Sequence, residues 1–171
     1  MIAKTKIEEL KQIPLFGQLS VDELQYLARN LEERECKKEE VLYKEDEVPG
    51  ILYLVQKGAI EITKKTPGGH RQVIATIRTG QFFGELSFFE GRRHAALARA
   101  TVDSRLLLLH RPVYDELERA QPLLVHRLLR EMILTISLNL DSMNDMFLQM
   151  VNYTFYGGGK ASNIESSEEG S

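Results

Sequence analysis

The stretch Gln81-Phe82-Phe83-Gly84-Glu85-Leu86-Ser87-Phe88-Phe89-Glu90-Gly91-Arg92-Arg93-His94-Ala95-Ala96 decides how this chain is read. Gly84 permits close backbone approach or an unusual φ. Glu85 follows as an acceptor-only carboxylate, suited to a sugar hydroxyl. Residues 86–90 are long enough for one helical turn, whose start presents free backbone N–H groups and a positive dipole end. Two cations, Arg92 and Arg93, come next. An acidic hydroxyl reader, an amide nest and nearby cations predict a site for a sugar phosphate. The same residues also allow a plainer reading: a turn opening a short helix, Glu85 in a structural ion pair, and Arg92 and Arg93 as a solvated charge pair.

Around this stretch, residues 39–110 read as short strands between turns. Val41-Leu42-Tyr43 is one apolar run. Pro49-Gly50 turns the chain into Ile51-Leu52-Tyr53-Leu54-Val55, and Gly58 precedes Ala59-Ile60-Glu61-Ile62-Thr63. Pro67-Gly68-Gly69 is a hairpin turn with its return strand at 72–77. The run Leu106 to Leu109 predicts a strand buried on both faces. Many short strands at this spacing predict a sandwich, jelly roll or barrel.

Helical periodicity brackets the strands. On the N-terminal side, over about 6–33, Ile7, Leu10 and Ile13 form one stripe and Leu24, Leu27 and Leu31 another. Pro14 and Gly17 interrupt them. Ser20 with Glu23 is a capping-box signature for the second helix. On the C-terminal side Pro112 suits the first turn of a helix, and another is expected to start near Pro122. The expected architecture is α+β: an antiparallel β-roll, jelly-roll-like, flanked by N-terminal helices and a long C-terminal helix. One domain is expected over 1–156. Gly157-Gly158-Gly159 stops the helix, and the Ser-, Gly- and Glu-rich tail at 157–171 is expected to be disordered.

In these features the chain resembles the cyclic-nucleotide-binding domain family, of the type found in catabolite activator protein and protein kinase A regulatory subunits. The family's phosphate cassette runs Phe-Gly-Glu-Leu-Ala-Leu, four or five variable residues, then Arg-Ala-Ala. Here it reads Phe83-Gly84-Glu85-Leu86-Ser87-Phe88 and ends His94-Ala95-Ala96. The resemblance covers about 10–151 and includes Ile13-Pro14-Leu15-Phe16, Gly50, Gly58 and Gly80. It implies that Glu85 accepts from the ribose 2′-hydroxyl. It also implies that Gly84, Leu86, Ser87 and Ala95 line the ribose phosphate, the last three largely through backbone amides. His94 stands where the family has the arginine that pairs with the cyclic phosphate. A planar guanidinium binds phosphate bidentately and is always charged, whereas a neutral imidazole does neither. Losing a charge-assisted hydrogen bond of about 1.5–3 kcal/mol costs roughly 10- to 150-fold in affinity. Arg93 substitutes only if its loop shifts, because neighbours on a strand face opposite sides; Arg99 contributes only if its strand bends. In this family a Thr after the arginine favours guanine; here that position is Ala95, which implies cyclic AMP over cyclic GMP.

From Leu129 the apolar residues Ile133, Ile136, Leu140, Met143, Phe147 and Met150 alternate steps of four and three. That is the 3.5-residue repeat of a coiled-coil seam, and it predicts a parallel homodimer. Leu128, Met132 and Met146 widen the stripe, so part of it also suits packing on the domain itself.

Composition excludes several other classes. Lys plus Arg is 22 against 25 for Asp plus Glu, a net charge of −3. That balance gives no support to a nucleic-acid-binding surface. The N-terminus lacks the apolar run of a signal peptide, and the stretch 132–140 is too short to span a bilayer. One cysteine, Cys36, excludes an intrachain disulfide and fits a reducing, cytoplasmic setting. His70, His94, His110 and His126 are scattered, which argues against a cupin-like metal site. No Ser-His-Asp or Cys-His grouping suggests an enzyme. The expectation is a ligand-sensing module with no metal and no cofactor beyond its cyclic nucleotide. Its rival is a degenerate domain that keeps the fold for dimerisation or partner docking.

Overall fold

The computed structural model describes residues 2–156, with side chains from 6 to 155. The tail lies outside them. The chain divides into two compact units, Met1–Leu129 and Arg130–Ser171. The first holds all the strands of the described residues.

Helix α1 (Ile2–Lys11) is followed by a 3₁₀ turn (Pro14–Phe16) and α2 (Val21–Asn30). The Ser20 hydroxyl accepts from the Glu23 amide at 3.3 Å, and the Ser20 amide donates to the Glu23 carboxylate at 2.8 Å. Both halves of the capping box therefore form. Leu10, Ile13, Leu24, Leu27 and Leu31 are buried, as their spacing predicts.

Eight strands follow: β1 (Glu32–Cys36), β2 (Val41–Tyr43), β3 (Ile51–Lys57), β4 (Ala59–Lys65), β5 (Arg71–Arg78), β6 (Phe82–Phe83), β7 (Leu97–Ala100) and β8 (Ser104–His110). They form two four-stranded antiparallel sheets, ordered β1-β8-β3-β6 and β2-β7-β4-β5. Short helix α3 (Glu85–Glu90) separates β6 from β7. The α+β roll predicted from the sequence is the observed fold, with one correction at its start. The roll begins at Glu32, not near 39, because Glu-Glu-Arg-Glu-Cys is an edge strand. Its charged side chains stay in water while its backbone pairs with β8.

Between the sheets lies a core that includes Cys36, Tyr43, Tyr53, Val55, Ile60, Phe83, Leu106 and Leu108. On β8 four successive leucines are buried, Leu106 and Leu108 on the interior face and Leu107 and Leu109 on the other. A strand covered on both faces reads as a continuous apolar run. Cys36 is 2% exposed, and burial pushes its thiol above its ordinary range, with Arg34 opposing. It is therefore a packing residue with little thiolate character. Gly58 sits at φ +110, and a Cβ there would meet the Ser104 Oγ at 2.2 Å. Only glycine fits where this β3–β4 turn crosses Ser104.

After the roll come α4 (Arg111–Ala120), with Pro112 in its first turn, and α5 (Pro122–Tyr156). In the second unit, Ile133, Ile136, Leu140, Met143, Phe147 and Met150 are all exposed, Ile136 least at 43%. No described helix is long and apolar enough to cross a membrane.

Candidate functional site

Strand β6 is only two residues long because Gly84 breaks it. Gly84 has φ +83, and a Cβ there would lie 3.2 Å from the Ile51 carbonyl oxygen and 3.3 Å from Tyr53 Cδ2. A side chain would be both strained and crowded. From this pivot α3 begins: the Phe88 amide donates to the Gly84 carbonyl at 2.9 Å. Gly91, also left-handed, ends it after one and a half turns.

Glu85, the first residue of α3, is half-buried. Burial raises its carboxyl pKa above the ordinary range, and only its own backbone amide pulls the other way. No cation among the described residues pairs with it, so the structural ion pair of the plainer sequence reading does not form among them. Its charge does reach Tyr43, whose phenol is pushed well above the ordinary range by burial first and by Glu85 second. Leu86 turns its side chain to solvent, whereas Ser87 is buried. Ala95 is exposed and Ala96 half-buried.

Beyond α3 the chain does not continue as a strand. Residues 91–96 form an irregular loop, correcting the strand geometry assumed for Arg93 and His94. The loop is irregular because it bonds to the β2–β3 loop and not to a sheet. The His94 amide donates to the Glu47 carbonyl at 3.1 Å, and the Asp46 amide donates to the His94 carbonyl at 2.8 Å. The Arg93 guanidinium donates to the Asp46 carbonyl, and Arg92 pairs with Glu90 at 2.7 Å. Arg99 lies between Glu39 at 2.6 Å and Glu61 at 3.0 Å. All three arginines near the motif are thus engaged elsewhere.

His94 points inward. It is 5% exposed and lies face to face on Tyr43, with ring centroids 3.7 Å apart and planes 8° from parallel. Burial lowers its pKa below the ordinary imidazole range, with Glu47 opposing. Behind Tyr43, the Tyr53 and Phe83 rings stack at 4.9 Å. Tyr43 therefore connects the two ends of the motif, stacking on His94 and feeling the Glu85 charge. Sequence reasoning missed this role, as well as those of Asp46 and Glu47. Tyr43 looked like any core residue of an apolar run, and nothing local marked its partners. No group of three or more His, Cys, Asp or Glu among the described residues is placed to hold a metal ion.

Comparison with known proteins bears on the family and the fold. The family model for the cyclic nucleotide-binding domain matches residues 33–120. The chain is 29% identical over 119 residues to the cyclic AMP receptor protein of Thermus thermophilus, covering 70% of this chain and 55% of that one. It spans about half or less of the length of the curated relatives it matches. Among solved structures, a cyclic nucleotide-binding domain from Methylobacillus flagellatus superposes with a TM-score of 0.76 at 23% identity, over 87% of this chain and 84% of that one. The regulatory subunit of a cAMP-independent protein kinase A from Trypanosoma cruzi, bound to guanosine, gives 0.58 at 27% identity, over 68% and 45%. Roll, cassette and family match coincide on the same residues: the chain belongs to the cyclic nucleotide-binding domain family.

Proposed function

We propose that this chain is a cyclic-nucleotide-sensing regulatory module, with cyclic AMP the favoured ligand, dimeric through α5. One observation carries the reading. Gly84, left-handed against the Ile51 carbonyl, sets a half-buried Glu85 with no cation of the described residues on it. Such a carboxylate is free to accept from a ribose hydroxyl, and it gains hydrogen bonds that burial otherwise denies it. Leu86, Ser87 and Ala95 serve the ribose phosphate through backbone amides, with Ala96 closing the motif and Arg93 and His94 as the basic residues beside it. Ala95 has no hydroxyl to offer a guanine, which supports cyclic AMP over cyclic GMP. The exposed seam of α5 supports the dimer. The module reads its ligand and does not convert it, and it works in the cytoplasm.

A second reading is favoured by the His94–Tyr43 stack, which leaves no charged group at the phosphate position. Under it the domain keeps the fold for dimerisation or docking without cyclic nucleotide affinity. The Trypanosoma cruzi relative, described as cAMP-independent, supports the idea that a member of this fold can leave cyclic AMP behind. Calorimetric titration of the full chain with cyclic AMP and cyclic GMP separates the two. Saturable binding, tighter for cyclic AMP, is expected. Tighter cyclic GMP binding rejects the ligand preference, and the absence of binding favours the docking domain.

A further inference from the structure

The His94 ring is held between two opposed demands. Its surroundings suit a neutral imidazole: it is 5% exposed and stacked on Tyr43 at 3.7 Å. Its place suits a cation, because Tyr43 carries the His94 stack and also feels the Glu85 charge, so a sugar phosphate whose hydroxyl Glu85 holds brings its anion into the same neighbourhood. The geometry points to binding of a cyclic nucleotide being coupled to protonation of His94, so that the module answers to ligand and acidity together. This rests on the cyclic-nucleotide reading above.

The groups around the ring make the coupling one-directional. On the β2–β3 loop, Glu47 receives the His94 amide on its carbonyl, and its carboxylate favours the imidazolium. Asp46 donates its amide to the His94 carbonyl and accepts from Arg93 on its own. The Arg93 charge is therefore already directed at a backbone oxygen. From β2, Tyr43 presents a ring face, and from α3 the Glu85 charge acts on Tyr43. With its phenol kept protonated, that face stays neutral and attracts a cation, so the stack accommodates the imidazolium. What opposes protonation in the free protein is burial. A phosphate brought against the ring outweighs burial, because an opposite charge at contact favours the charged form.

The sign follows from linkage. With its pKa below the ordinary range in the free protein and raised by the phosphate in the complex, His94 is mostly neutral before binding near neutrality and charged after it. Binding takes up protons, and affinity weakens as pH rises between about 6 and 8, the region around an imidazole's ordinary value. One proton per ligand makes the limit about tenfold per pH unit.

The test is calorimetry of the full chain with cyclic AMP across about pH 6 to 8, in pairs of buffers with different ionisation enthalpies, with adenosine as a control ligand. Proton uptake by the wild-type chain is the direct readout and needs no variant. Near pH 8, His94→Arg is expected to bind more tightly than wild type, by about tenfold or more, with no pH dependence. His94→Gln is expected to bind weakly and equally at every pH. Measurable but pH-independent cyclic AMP binding by wild type overturns the proposal and leaves the cyclic-nucleotide reading standing. Tighter binding of adenosine than of cyclic AMP at the acid end overturns the proposal and the cyclic-nucleotide reading together, because the ligand is then an uncharged nucleoside. Binding by His94→Arg alone also overturns it, with the wild type then a degenerate sensor. If neither wild type nor His94→Arg binds at any pH while both give the circular dichroism of the fold, the cyclic-nucleotide reading itself has failed, and the proposal with it.

Discussion

The Arg111 guanidinium donates to the Phe88 carbonyl at 3.1 Å, and its central carbon lies 5.4 Å over the Phe88 ring. The same carbon lies 5.4 Å over the Tyr114 ring, and Asp115 accepts from its Nε at 2.8 Å. One side chain at the start of α4 thereby ties down the helix that opens at Glu85. Phe88 and Tyr114 add an edge-on contact at 5.5 Å.

Replacing Arg111 with Ala is expected to destabilise the domain by about 1–2 kcal/mol, the sum of one hydrogen bond and partly exposed cation–π contacts. Arg111→Lys is expected to recover less than half, because an ammonium lacks the planar fork that serves carbonyl, ring and carboxylate at once. Urea unfolding measures both. An unchanged midpoint for Arg111→Ala would show that the clamp holds nothing.

Glu85→Gln is expected to weaken cyclic AMP binding by roughly 10- to 150-fold, the loss of a hydrogen bond to a charged group. The free protein responds in the opposite sense. An acid whose pKa is raised by folding contributes stability below its unfolded value, and loses it as pH rises through the folded one. The contribution of Glu85 therefore fades as pH climbs above the ordinary 4.5. Relative to wild type, Glu85→Gln gains stability from there toward neutrality. Urea unfolding of the ligand-free pair at acid and neutral pH is the check; a difference that stays constant counts against the burial of this carboxyl.

Ser20→Ala removes the cap of α2 and is expected to cost about 0.5–2 kcal/mol. Its partner Glu23 also carries pH dependence. Burial works against the charged form, but the Ser20 amide and hydroxyl together with Arg127 outweigh it, so its pKa is lowered. Both oxygens of Glu23 accept from Arg127, at 2.9 and 2.6 Å. A lowered carboxyl contributes stability above its ordinary 4.5, lost as pH falls through the folded value. Glu23→Gln should therefore flatten the acid limb of the stability curve. An acid limb as steep as that of wild type would place the dependence on another group.

Ile136→Glu with Leu140→Glu is expected to turn a dimer into a monomer. Both residues sit on the exposed seam of α5, and paired like charges at a coiled-coil core exclude association. Sedimentation of both chains at roughly micromolar concentration, where a dissociation constant corresponds to about 8 kcal/mol of association free energy, is decisive. A wild-type chain that is already monomeric there removes the seam as an interface.

The parts of this protein legible in the sequence are those set by neighbours along the chain. The Ser20–Glu23 box, the Pro112 and Pro122 helix starts, the Pro67-Gly68-Gly69 hairpin and the buried run of β8 each depend on residues within one or two turns of each other. The Gly84-Glu85 pivot belongs with them, since its left-handed φ is a property of one residue. Pairing between distant segments was not legible. Strand β1 carries charges on both faces and becomes a strand only because β8 offers it a backbone edge, with Glu32 also meeting His110 at 2.7 Å. The loop at 91–96 looked like a strand until the β2–β3 loop supplied its hydrogen bonds. That His94 is not arginine is written in the sequence. That it is buried and stacked on Tyr43 was decided only when β7 paired with β2 and the 91–96 loop bonded to the β2–β3 loop, because a ring's charge state depends on what surrounds it and those surroundings come from remote parts of the chain.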